Sequence, residues 1–253
     1  MKKILVFLLL AFVLPLLCVI LMTGTTLFHS GVFNLVVFGV EAAAPSLAAI
    51  LTVLYFEKGC GLKQFLKKSY IDNLNLKIIL IALFLPILMV GAPKLLNHLI
   101  FGGALNLGIL SPKKILIVFW ALVAEELGWR GFLQNKLQPY FNKLTLPLIL
   151  GVIWAAWHYH FYLYGTNSAP LVLFTLGCVT ESYVYFALTK CVNGNIVPAS
   201  VFHFSGNLCF NLFLINPEYN KGSTLPYQLY ILCSLITAVI AFSVIHKRRV
   251  KIH

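Results

Sequence analysis

Long, nearly unbroken apolar runs recur along these 253 residues, and each is close to the length a helix needs to cross the hydrocarbon core of a bilayer. No water is available at that depth, so a crossing backbone must satisfy its own hydrogen bonds, as a helix or a closed barrel does. The runs lack the strict alternation of barrel strands, which selects helices. About eight spans are expected, near Ile4–Met22, Val32–Phe56, Ile78–Ile100, Ile115–Phe132, Leu146–Tyr164, Leu171–Leu188, Ile196–Ile215 and Leu225–Ile245. The fold class this predicts is all-α, a polytopic membrane helical bundle. There is no internal repeat, low-complexity tract or linker, so residues 1–253 read as a single membrane domain.

Composition excludes the alternatives. Hydrophobic residues make up 60% of the chain, charged residues 10%, and the mean hydropathy is +0.91, outside the range of soluble domains. The six cysteines are scattered, mostly in apolar segments and with no C-x-x-C, and read as small buried hydrophobes. The net charge of +12 is spread over several loops, which argues against a nucleic-acid partner and for the lipid bilayer. The first run, after Met1-Lys2-Lys3, is too long for a signal-peptide core and has no cleavage motif, so a retained helix is expected.

Loop charge orients the chain. With the N-terminus cytoplasmic, the inner segments collect Lys2, Lys3, Lys58, Lys63, Lys67, Lys68, Lys77, Lys136, Lys143, Lys190, Lys247, Arg248, Arg249 and Lys251, and the outer loops only Lys113, Lys114 and Lys221. That bias obeys the positive-inside rule and places both termini inside. Gly59–Asn75 sets Leu62, Phe65 and Leu66 against Lys63, Lys67 and Lys68, the pattern of an interfacial helix. Pro86, Gly91 and Pro93 should break the third span, with Lys94 snorkelling outward.

Against this background the polar residues stand out. Glu125 and Glu126 adjoin each other in one of the most apolar stretches of a chain with only seven acidic residues. A charge at bilayer depth costs from about 2.5 to 17 kcal/mol depending on the scale, so two need a reason. Glu126 and Arg130 are i,i+4 and can neutralise each other, while Glu125 points about 100° away. The fifth span carries Trp154, one turn from His158, with His160 two residues on, and the seventh carries His203 and Asn207, again i,i+4. Counted at 1.5 Å per residue, Glu125 and His203 lie roughly 10–12 Å, and His158 roughly 18 Å, from the inner ends of their spans. Three helices thus bring ionisable groups to about one level. Glu181, mid-span in the sixth helix, is balanced between lining this site and a structural hydrogen bond. His160 reads as wall or packing.

A buried Glu beside a His can deprotonate a water, and a second His with an Asn can donate hydrogen bonds to a tetrahedral oxyanion. The same set, Glu125, His158 and His203, could instead hold Zn²⁺ with a metal-bound water as nucleophile, and this alternative stays open here. There is no H-E-x-x-H.

Glu125-Glu126-x-x-x-Arg130, an aromatic-x-x-x-His158 and His203-x-x-x-Asn207, in this order on a many-spanning chain, resemble the CAAX protease and bacteriocin-processing (CPBP, or Abi) family of intramembrane proteases. The resemblance covers mainly residues 111–215, with residues 1–110 as generic N-terminal spans. Asn193-Gly194-Asn195-Ile196-Val197-Pro198 also resembles the polar turn before the family's last motif. The resemblance implies that Glu125 is the principal catalytic carboxylate, activating water with His158. It further implies that His203 and Asn207 form the oxyanion hole and that Glu126 with Arg130 braces the site, by a metal-free route in preference to a zinc one. Trp154 stands where the family usually has Phe, keeping an aromatic wall but narrowing the pocket, and Glu181 lies outside the motif. Sixteen Lys against three Arg, with many Asn and Ile, suggests an AT-rich bacterial genome. The expectation is therefore an endopeptidase of the bacterial cytoplasmic membrane, acting on membrane-associated peptides or proteins rather than on prenylated CAAX substrates. The competing readings are a non-catalytic immunity or scaffold protein of the same fold and a small proton-coupled transporter.

Overall fold

The computed structural model describes residues 1–24, 31–163 and 168–250. Among these the chain is helical, with no strand. The helices are α1 (Lys2–Gly24), α2 (Gly31–Ala42), α3 (Ala44–Tyr70), α4 (Leu76–Pro86), α5 (Ala92–Phe101), α6 (Pro112–Ala124), α7 (Gln134–Leu137), α8 (Thr145–Trp157), α9 (Tyr159–Leu163), α10 (Leu171–Cys191), α11 (Val197–Phe213) and α12 (Leu225–Val250). Tyr164, the expected end of the fifth span, and Lys251 lie outside the described residues, as do the side chains of Met22, Val32, Lys58, Arg248 and Arg249.

This is a helical membrane bundle. Among the described residues six helices are long and apolar enough to cross a membrane, and α2 with α3, bent by 60°, makes a seventh if the pair is one span. The remaining expected span, Ile115–Phe132, is not a single straight helix. α6 stops at Ala124, Glu125 caps it, and Leu127–Leu133 continues as a wide π-helical turn. The third span likewise stays continuous from Leu76 to Phe101, because the Pro86–Pro93 region is absorbed by a π-helical turn at Ile87–Gly91 instead of a break. The expected interfacial segment after Gly59 begins as the exposed end of α3, which runs unbroken to Tyr70.

One expectation fails outright. Lys94 does not snorkel: it is 0% exposed, and its ammonium donates to Asn106 Oδ1 at 2.8 Å and Asn220 Oδ1 at 3.4 Å. A buried ammonium needs such acceptors, and here two chain segments distant in sequence supply them.

Packing centres on α10, which is flanked by α8 and α12, and on α11, which lies against α4 and α6. α1 supplies Phe7 to the π-helical turn Leu127–Leu133 and Ala11 to α8. Phe7 stacks on Phe132 at 5.0 Å and meets Trp129 edge-on, while Trp157 Nε1 donates to the Ala11 carbonyl at 2.8 Å. The turn before α11 is pinned to the end of α3. Asn195, fully buried, donates to the Asp72 carbonyl at 2.7 Å and accepts from Val197 N–H at 2.8 Å, and Ile196 N–H donates to the Ser69 carbonyl. Asn193 and Gly194 take positive φ there, which Gly adopts freely and Asn tolerates.

Candidate active site

The site begins with the interruption after α6. Every residue of the π-helical turn Leu127–Leu133 is buried, and the turn lies against the start of α3. Gly128 makes that approach: a Cβ there would overlap the Pro45 carbonyl. Ser46 Oγ adds a hydrogen bond to the Val123 carbonyl at 3.1 Å. π-Helical turns concentrate at functional sites because they re-aim side chains within a helix. Here the two glutamates sit at the junction.

Glu125 is held from one side. Its Oε2 accepts from Trp154 Nε1 at 2.9 Å and from Trp129 Nε1 at 3.2 Å, and its Oε1 lies 3.7 Å from His203 Nε2. Glu126 turns away and binds His203 Nδ1 at 2.9 Å with Oε1 and Arg130 Nε at 3.2 Å with Oε2. Both Glu126 and Arg130 are 1% exposed, and the guanidinium stacks 4.3 Å from the Tyr185 ring centroid and 5.3 Å from that of Trp154. His203 therefore bridges the two carboxylates.

His158 is the residue at which α8 ends and α9 begins. Its Nδ1 lies 2.7 Å from the Trp154 carbonyl oxygen, which can only accept, so Nδ1 carries the proton and Nε2 is the lone-pair nitrogen. Rings of Trp157, Phe174, Trp154 and Phe161 surround it at 5.0–5.6 Å.

A cavity of about 710 Å³ joins these groups. Glu125, Trp154, His158, His203, Asn207 and Glu181 all line it, together with apolar residues of α2, α6, α10, α11 and α12. Asn207 has no side-chain hydrogen-bond partner among the described residues, and its carbonyl accepts from Asn211 Nδ2. Glu126 and Arg130 do not line the cavity but lie behind Glu125. Glu181 combines both of its expected roles, since it lines the cavity and accepts from Tyr230 Oη at 2.7 Å. His160 is buried as expected, but against an acid.

Two participants are absent from the sequence reading. Trp129 is i+4 from Glu125, a spacing that could have revealed it. Glu41, 1% exposed on α2, lines the same cavity and lies 3.3 Å from His160 Nε2. It is a lone acid in an apolar span, the same signal that singled out Glu125.

The donors do not favour a metal. Among the described residues no three His, Cys, Asp or Glu side chains are grouped to hold an ion. Both nitrogens of His203 face glutamates, and two indole N–H groups occupy Glu125 Oε2.

Residues 108–209 match the family model described as Type II CAAX prenyl endopeptidase Rce1-like. A CAAX prenyl protease 2 of Methanococcus maripaludis is 27% identical over 176 residues, 60% of this chain and 65% of that protein. The resemblance to the CPBP family is borne out. The matched stretch includes Glu125, Glu126, Arg130, Trp154, His158, His203 and Asn207 within its bounds. A Lysostaphin resistance protein A of Staphylococcus epidermidis is 28% identical over 193 residues, 72% of this chain and 48% of that protein. The chain thus spans less than two thirds of the length of each of these relatives.

Proposed function

We propose that the protein is an intramembrane endopeptidase that hydrolyses peptide bonds of membrane-associated peptides or proteins. One observation carries this reading. A carboxylate anchored through one oxygen by two indole donors shares a cavity with a histidine whose tautomer leaves a lone pair. Glu125 lines the cavity and keeps Oε1 without a hydrogen bond, 3.7 Å from His203 Nε2.

In this reading a water bound between Glu125 and His158 loses a proton to the carboxylate as its oxygen attacks the scissile carbonyl carbon. The carbonyl oxygen becomes an oxyanion and takes hydrogen bonds from the His203 imidazole and the Asn207 amide. Collapse of the tetrahedral intermediate breaks the C–N bond, and the proton taken from water passes to the leaving amine. Glu126 and Arg130 act from behind: they fix His203 and cancel each other's charge in a medium where neither would be tolerated alone. No step needs a metal.

The match to a prenyl endopeptidase family model and the apolar residues lining the cavity support an apolar, membrane-delivered substrate. The test compares chain ends in the membrane fraction of cells producing the wild type or Glu125→Gln, read by mass spectrometry. New termini that require Glu125 are expected. Matched profiles with both proteins inserted equally would favour a non-catalytic immunity or scaffold role.

A further inference from the structure

The cavity holds more acid than the proposed hydrolysis uses. Glu41, Glu125 and Glu181 all line it, and no Lys or Arg does among its lining residues. Glu125 has its indoles and Glu181 has the Tyr230 hydroxyl. Glu41 has nothing comparable: it is 1% exposed, and among the described residues neither carboxylate oxygen has a hydrogen-bond partner.

Its neighbour explains why. His160 Nδ1 lies 2.8 Å from the Trp157 carbonyl oxygen, so that nitrogen carries the proton. In the neutral ring Nε2 then presents a lone pair, and it is this atom that lies 3.3 Å from Glu41 Oε1 with no hydrogen bond between them. A lone pair cannot satisfy a carboxylate. The wall nearby is apolar, with Phe38 and Phe161 6.5 Å apart. A buried carboxylate without a donor, on the wall of a cavity of about 710 Å³, is completed by a cation entering from the cavity.

We propose that Glu41 receives a cationic group of the substrate, an ammonium or guanidinium, so that the protein acts on apolar segments carrying a basic group close to the cleaved bond. The proposal rests on the endopeptidase reading. The cation is either a Lys or Arg side chain or the amino terminus of the peptide, and both would use the same carboxylate.

Binding can be read without turnover. The full chain carrying Glu125→Gln is placed in phosphatidylcholine nanodiscs and titrated with three peptides by calorimetry, with empty nanodiscs subtracted. The probes are acetyl-Leu-Leu-Lys-Leu-Leu-amide, the same peptide with norleucine for lysine, and the norleucine peptide with a free amino terminus. A charged peptide is expected to bind on the order of tenfold tighter than the acetylated norleucine peptide, and adding Glu41→Gln should erase that gap. The lysine peptide showing it points to a side chain, and the free-amine peptide to the amino terminus. Equal affinity for all three would overturn the proposal, with His160 then charged and neutralising Glu41 internally. So would a gap that persists in Glu41→Gln. If that variant fails to insert, Glu41→Ala takes its place, and an unchanged gap overturns the proposal. None of these outcomes depends on hydrolysis, which the chain-end comparison tests separately.

Discussion

At the scale of single residues, the two adjacent glutamates divide their work by partner. Glu126 is locked to Arg130 and His203, and Glu125 is held only by indoles and left facing the cavity. Different failures should follow from the same amide substitution. Glu126→Gln strands the buried guanidinium and should cost about 3–5 kcal/mol of stability, seen as loss of folded protein in detergent melts. Trp154→Phe restores the residue usual in the family but removes a donor to a charged acceptor worth about 1.5–3 kcal/mol, so activity should fall about tenfold or more with the protein folded. Because the donor set does not favour a metal, dialysis against a zinc chelator should leave activity intact, and zinc-dependent recovery after loss would contradict this. The residue types and spacings were legible in the sequence because i,i+4 pairing is a local property of a helix. Trp129 and Glu41 were missed for opposite reasons: the first hides among other aromatic residues, and the second gains meaning only when α2 folds over the cavity.

At the scale of elements, the sequence reading misplaced geometry more than identity. Hydropathy sees Ile115–Phe132 as one run, since a π-helical turn is as apolar as the α-helix it interrupts. The interruption depends on contact with α3, and Gly128 is its clearest mark. Gly128→Ala should cost about 1–3 kcal/mol through overlap with the Pro45 carbonyl, measurable as a lowered unfolding midpoint, and should reduce activity beyond its effect on folding by shifting Glu125. Lys94 shows the same limit. Its position in the outer third of a span suggested a route to water, but Asn106 and Asn220 come from loops whose placement no local pattern encodes.

At the scale of the whole molecule, the helical membrane bundle was readable from run length and composition, because lipid leaves the backbone so few choices. The loop charges predict a topology that can be measured. Cys60, exposed at the far end of α3, should react with a membrane-impermeant maleimide only in permeabilised cells, whereas a cysteine replacing Lys221 should react in intact ones. The reverse pattern would invert the orientation. The resemblance to the CPBP family was legible because its three motifs keep their order and spacing in the sequence. The cavity was not, since its lining is assembled from α2, α6, α8, α9, α10, α11 and α12.

In the proposed mechanism Glu125 activates the water that cuts the substrate. The most direct test of this role uses purified wild-type and Glu125→Gln protein in nanodiscs, incubated with a peptide spanning a chain end mapped in cells. Cleavage by the wild type, with a loss of at least about a thousandfold in a Glu125→Gln protein of unchanged melting behaviour, is the predicted result. Glu125→Gln activity within tenfold of the wild type would contradict the account.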